Sequence, residues 1–286
     1  MDQLENEQLQ RFITAALAED VGDGDHTSLS TIPPHAVGEA QLIIKEPGIL
    51  AGIAEALAVF HTVDDALLVS TYKADGDAVA VGDVVLTVKG NVHGILLAER
   101  LALNIMQRMS GIATATHRIV AAIAGTAAKV LDTRKTTPLL RFLEKKAVAI
   151  GGGVNHRFGL YDMMLIKDNH VDYAGGIKNA ISRANAYRKN MKRPIAIEVE
   201  VRNREEIEEV LAVGGVERIM LDNFTPEALR EAVALINGRL VTEASGGINI
   251  DNIRDYAAAG VDFISIGALT HSVKGLDMSL KANVVG

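Results

Sequence analysis

Five basic side chains supply the first chemical signal in this chain: Arg134 and Lys135, His156 and Arg157, and Lys167. Each group closes a short apolar run, so a fold that aligned those runs would gather all five at one mouth. Converging cations repel and lose hydration, a cost that an anionic ligand or acidic side chains must offset. Guanidinium forks match carboxylates and phosphates in two-point geometry, and Lys adds a compact charge. The pattern predicts a pocket for an anionic small molecule, with rim ion pairs to local Asp or Glu as the competing reading.

Glu198, Glu200 and Asp222 offer the opposite sign. Strand alternation puts Glu198 and Glu200 on one face, and Asp222 closes the next strand. Such carboxylates bind Mg²⁺, accept hydrogen bonds from ribose hydroxyls or oppose a developing cation. A buried pair between one of them and Lys167 is the alternative, and Glu200 lies nearer the end of its strand. Ser245, Gly246 and Gly247 follow the penultimate candidate strand, and Gly267 and Ala268 the last. Barrels bind phosphate between their last two units, where Gly lets backbone N–H groups approach. Other signals weigh little. The acidic run from Glu19 to Asp25 lacks the calcium-loop register and is expected to order a turn, and His156 and His170 form no zinc motif. Met106 and Met109 are expected to pack a helix face.

The elements that must position these groups show in the periodicity. Residues 5–19 have the spacing of a one-sided helix, and 39–90 read as short strands around a helix, a small α+β domain. Residues 95–109 are predicted helical, with Ser110-Gly111 as an interruption before a second helix to about Ala124. Seven candidate strands follow, at 129–132, 148–151, 163–166, 195–199, 218–221, 240–243 and 263–266, with helical patterns between. Polar residues at the ends of a parallel βα series are the layout of an α/β barrel. A Rossmann sheet is the competitor, but Gly151-Gly152-Gly153 lacks its glycine spacing.

The chain has 286 residues, 48% apolar and 23% charged, with no Cys and a net charge of -7. That composition excludes disordered and collagenous classes, disulfide frameworks, Cys-ligated metals and thiol nucleophiles. The negative balance argues against nucleic acid as a partner. The amino-terminal residues do not read as a secretory signal, and no apolar run is long enough for a membrane span, so no membrane partner and a cytoplasmic address are expected.

The segments AERLALNIMQRMSGIAT, DTRKTTP, GGGVNHR, LIKDNH, EVE, LDNF, EASGGI and DFISIGALTHS, in this order, resemble the quinolinate phosphoribosyltransferase family through nearly the whole chain. The resemblance implies an α/β protein with a seven-stranded incomplete α/β barrel at 111–272 and an α+β open-faced sandwich at 1–110, with 273–286 packed on the sandwich. It implies that quinolinate and 5-phosphoribosyl-1-pyrophosphate become nicotinate mononucleotide, pyrophosphate and CO₂ with Mg²⁺, in a homodimer or higher homo-oligomer. Arg134, His156, Arg157 and Lys167 would surround the pyridine dicarboxylate, and Arg100 would enter from the neighbouring subunit. Lys135 would lie at the sugar donor. Glu200 and Asp222 would hold the ribose hydroxyls and the metal, making Lys135, Glu200 and Asp222 the catalytic set. Ser245, Gly246, Gly247, Gly267 and Ala268 would bind the 5-phosphate.

Overall fold

The computed structural model describes residues 3–283 and divides into two compact units. The first takes the chain through Ala115, adds Pro138–Gly151, and ends with the segment that starts at Val273. The second comprises Thr116–Thr137 and Gly152–Ser272.

The first unit opens with α1 (Gln3–Val21) and α2 (His26–Thr31). Leu9 and Ile13 of α1 are buried, as its one-sided spacing requires. The acidic run supplies a cap: the Asp25 carboxylate accepts from the Ser28 hydroxyl at 2.5 Å and from the Ser28 amide at 3.1 Å, which together hold its pKa below the ordinary value. Strands β1 (Val37–Ile44) and β2 (Gly48–Ile49), helix α3 (Ile53–Val63), then β3 (Leu68–Thr71), β4 (Ala78–Val79) and β5 (Val84–Asn91) follow. Alternation buries Ala40, Leu42 and Ile44 on one face of β1. β1 pairs antiparallel with β5 and, on its other edge, with the carboxyl-terminal strand Met278–Asn283; β3 completes this sheet against β5.

Helix α4 (Val92–Ala122) runs without a break through Ser110-Gly111, against the expected interruption. Both residues serve packing. The Ser110 hydroxyl receives the Ala51 amide at 2.9 Å and donates to the Ala51 carbonyl at 3.1 Å. Gly111 leaves room for the Lys274 carbonyl, which any side chain would strike. Met106 and Met109 are fully buried on the same helix.

The second unit begins with β6 (Lys129–Leu131). After α5 (Arg141–Ile150) come β7 (Met163–Ile166), α6 (Asp168–Ala174), α7 (Ile177–Lys189), β8 (Ala196–Val201), α8 (Arg204–Val213) and β9 (Arg218–Asp222). The series closes with α9 (Pro226–Ile236), β10 (Val241–Ser245), α10 (Ile253–Ala258), β11 (Phe263–Ser265) and α11 (Ala268–His271). The strands form one parallel sheet in the order β6-β11-β10-β9-β8-β7, an incomplete barrel whose strands are buried at their middles.

The strand expected at 148–151 is instead the end of α5 and its cap, and α5 belongs to the first unit. Leu143, Glu144, Ala147 and Val148 are buried together on one helical face, so tertiary packing overrides the β preference of Val148 and Ile150. The seventh position of the barrel is a single parallel bridge from Leu131 to Val154.

Candidate active site

A cavity of about 180 Å³ in the second unit is lined by Arg134, Lys135, His156, Arg157 and Lys167, the five cations read from the sequence. Leu165 and Met220 give it apolar walls, and Ser245, Ser265 and Glu243 add polar ones. Each cation is set by a strand end or the loop after it. The Lys135 backbone is tied at both sides: its amide donates to Thr133 Oγ1 at 3.0 Å, and its carbonyl accepts from Thr270 Oγ1 at 2.7 Å. Asp132, fully buried at the end of β6, accepts the His156 amide at 2.8 Å. The Arg157 guanidinium donates to the Met163 carbonyl at 3.1 Å. Its pKa lies below the ordinary guanidinium value, first through burial and then through the charge of Arg134, which lines the same cavity.

Lys167 ends β7 and precedes α6. Its amide donates to His170 Nδ1 at 3.0 Å, and its ammonium pairs with Glu200. His170 thus shapes a helix start. Asp222 has its pKa raised by burial and then by the Glu200 charge, against the pull of Lys167 and a hydrogen bond from Ser245. The carboxylates at the ends of β8 and β9 therefore share one electrostatic neighbourhood with Lys167. Gly246 stands at φ +99°, and a side chain there would collide with Asn223. Gly267, at the start of α11, approaches the Lys135 side chain, while Gly247 at φ +63° has open space before it. Ala268 begins α11. Arg100 lies in the first unit, exposed on α4.

Thr270, Asp132, Glu243 and Arg218 were not read from the sequence; Thr270 and Asp132 act through backbone contacts that nothing in their local pattern distinguishes. Glu198 and Glu243 are wholly buried and converge on His156 Nε2 at 3.0 and 3.4 Å. Arg218 reaches Glu243 at 3.2 Å and stacks over the Phe263 ring at 4.6 Å.

Burial disfavours a charged His156, but hydrogen bonds and charges from the two glutamates would carry its pKa up to about 9. The second ring proton would have to sit on Nδ1, where the Arg157 amide already donates at 2.7 Å. The geometry favours a ring protonated at Nε2 alone. Among the carboxyls of the cluster Glu198 takes up a proton most readily: burial, against the pull of the His156 hydrogen bond and with the push of Glu243, raises it to about 7, whereas Glu243 is held low beside His156 and Arg218.

His156, Glu198 and Glu243 form a buried cluster able to chelate a divalent metal, with ligand atoms within 4.8 Å of one another. The Arg218 guanidinium on Glu243 makes that set a poor fit for Mg²⁺, which prefers oxygen ligands and keeps several waters. Glu200 and Asp222 suit a hard cation better. They are oxygen donors, and the repulsion that raises Asp222 is what a bound cation would relieve.

An incomplete α/β barrel with a cationic cavity at its strand ends, flanked by paired carboxylates and Gly-rich turns, defines an enzyme that binds a polyanionic substrate. Residues 25–110 match the model for the quinolinate phosphoribosyl transferase N-terminal domain, and residues 112–281 the model for its C-terminal domain. A chloroplastic nicotinate-nucleotide pyrophosphorylase (carboxylating) of Arabidopsis thaliana is 48% identical, covering 96% of this chain and 82% of that protein. Among solved structures, NadC from Streptococcus pyogenes is 41% identical with a TM-score of 0.91, covering 96% of this chain and 95% of that one. The nicotinate-nucleotide pyrophosphorylase of Francisella tularensis is 38% identical at the same TM-score of 0.91, covering 99% and 100%. The chain belongs to the quinolinate phosphoribosyl transferase family.

Proposed function

We propose that this chain carries out the family reaction in the cavity described above. It converts quinolinate and 5-phosphoribosyl-1-pyrophosphate to nicotinate mononucleotide, pyrophosphate and CO₂, a step of NAD biosynthesis. The observation that carries this reading is the gathering of five basic side chains in one cavity of a chain whose net charge is -7. A pyridine dicarboxylate and a phosphorylated sugar supply the negative charge that such a cluster needs.

Quinolinate lies in the pocket that Arg134, His156, Arg157 and Lys167 line, and the donor meets Lys135, Glu200 and Asp222. The 5-phosphate takes the turns of Ser245, Gly246, Gly247, Gly267 and Ala268. The pyridine nitrogen gives its electron pair to the anomeric carbon while the C–O bond breaks and its pair leaves with pyrophosphate. Positive charge builds on the sugar in that transition state, and Glu200 and Asp222 stabilise it electrostatically. Lys167, paired with Glu200, holds that carboxylate in place while presenting its ammonium to the dicarboxylate. The C–C bond to the carboxylate beside nitrogen then breaks. The cationic ring stabilises the carbanion until a proton replaces CO₂. Glu200 and Asp222 would hold Mg²⁺, which offsets charge on the leaving pyrophosphate.

The active unit is a homodimer or higher homo-oligomer in which Arg100 completes the partner's quinolinate site. By sequence the barrel domain is assigned to 111–272 and the sandwich to 1–110 with the carboxyl-terminal segment, although the compact units place 111–115 and α5 with the sandwich. A cytoplasmic address without membrane or nucleic-acid partners is part of the same proposal; among the described residues no helix is long and apolar enough to cross a membrane. Coupled detection of pyrophosphate and nicotinate mononucleotide, with CO₂ release from carboxyl-labelled quinolinate, tests the reaction. Pyrophosphate release from a monocarboxylate without CO₂ would instead mark a transferase for nicotinate or a similar ring acid.

A further inference from the structure

Both ring nitrogens of His156 are already engaged by the protein. Nδ1 receives the Arg157 amide at 2.7 Å, and Nε2 faces Glu198 at 3.0 Å and Glu243 at 3.4 Å. The backbone amide of His156 is engaged too, by Asp132 at 2.8 Å. The ring is 6% exposed, so little more than an edge reaches the cavity. A histidine that recognised a carboxylate directly would present an N–H to the cavity. Here both nitrogens are already taken up by protein groups.

We infer that His156 is a positioning residue, clamped by Glu198 and Glu243, that acts by fixing the backbone from which Arg157 reaches the quinolinate carboxylate. The inference rests on quinolinate as substrate and reassigns how one residue serves it. The chain of contacts is continuous. Glu243 is anchored by Arg218 and belongs to β10, Glu198 belongs to β8, and the pair locks the ring. The ring holds the Arg157 amide, and the Arg157 side chain is steadied by the Met163 carbonyl at 3.1 Å. Four strands, β7 to β10, thereby set the position of one guanidinium. A bidentate contact loses much of its strength when its fork is displaced, because both hydrogen bonds depend on alignment.

A double-mutant cycle on the intact chain separates positioning from contact. His156→Gln alone should raise KM for quinolinate about tenfold, the loss of roughly one hydrogen bond to a charged group. KM for 5-phosphoribosyl-1-pyrophosphate should move less than about twofold, inside the usual error of such cycles. In an Arg157→Ala background the same substitution should have almost no further effect on quinolinate. Additive losses would show that His156 touches substrate itself and overturn the inference, as would equal shifts in both KM values. Glu243→Gln, which keeps an acceptor for Nε2–H, should retain most quinolinate affinity that Glu243→Leu loses. Loss of that rescue also counts against the clamp. If the variants melt below the assay temperature, ¹⁵N spectra of histidine-labelled wild-type protein decide the matter. Nδ1 should remain unprotonated and hydrogen-bonded when quinolinate is added, and a quinolinate-dependent proton at Nδ1 would overturn the assignment. Wild-type turnover of quinolinate is the control: its absence refutes the substrate reading, whereas the ring's state in the unliganded protein is read independently.

Discussion

Asn223 stands in the left-handed region at φ 60° and donates its side-chain amide to Asp222 Oδ2 at 2.6 Å. Its backbone amide donates to the Ser245 carbonyl at 2.8 Å, so β9 and β10 are tied together where they meet the cavity. The neighbouring Gly246 makes the arrangement possible, since a side chain there would occupy the space of the Asn223 amide. Asn tolerates left-handed backbone better than other L-residues, which explains its use at this turn.

Asn223→Gly keeps that backbone accessible and removes only the donor to Asp222. Activity at limiting donor should fall about tenfold with little change in melting, the worth of a hydrogen bond to a charged group at the weaker, solvent-exposed end. Asn223→Ala should add about 1 kcal/mol of destabilisation, because Ala is strained where Gly is not. Steady-state kinetics and denaturant melts on both variants check the split. Equal activity in Asn223→Gly and wild type would remove the amide from any role in holding Asp222.

Asp222 must be ionised to oppose a developing cation, and its pKa is raised by burial and by the Glu200 charge. The sign follows directly. A raised value means that, as pH falls, Asp222 takes up its proton earlier than an ordinary Asp, so the acid limb of activity should sit above the usual carboxylate range. Saturating Mg²⁺ should move that limb to lower pH, since a bound cation favours the carboxylate. Asp222→Asn should lose turnover and lose the Mg²⁺-sensitive limb while its melting temperature is kept. A pH–rate profile with and without Mg²⁺ is the measurement, and unchanged turnover in the variant would discharge Asp222 from catalysis.

If Arg100 completes the partner's site, Arg100→Ala and Lys167→Ala chains should each be nearly inactive alone. Refolded together in equal amounts, random pairing makes about half of the dimers mixed. Each mixed dimer has one site carrying both defects and one carrying neither, so activity should return to roughly one quarter of wild type. Size-exclusion chromatography verifies the dimers. No recovery despite mixed dimers would place Arg100 in the site of its own chain.

Gly111→Ala should destabilise the protein although Ala is the better helix former. The propensity gain is about 1 kcal/mol. The added methyl meets the Lys274 carbonyl, a backbone atom that cannot swing aside as a side chain would, and overpacking of this kind costs about 1–3 kcal/mol. Urea melts of the intact chain should show the loss, and a stabilised variant would mean that the segment after Val273 yields easily.

The sequence by itself determined the alternation of strands and helices in the barrel, the polar ends of those strands and the five cations that meet in the cavity, because each depends on residues close together in the chain. Side-chain periodicity assigns a face, and an apolar run closed by Arg or Lys assigns an end. Tertiary structure decided the rest. Ser110-Gly111 is locally a helix breaker, yet α4 passes through it because Ala51 and Lys274 pack against the small residues. Val148 and Ile150 favour a strand, yet α5 buries a helical face there. Glu198 shows no local sign of serving His156 rather than the ribose, since Glu200 has the same type and faces the same way. The difference is depth: two residues along β8 separate the barrel interior, where a carboxylate needs a partner for its charge, from the strand end, where Lys167 supplies one. Depth along a strand becomes an energy only once the sheet has curved round and excluded water, and no spacing within the chain carries that information.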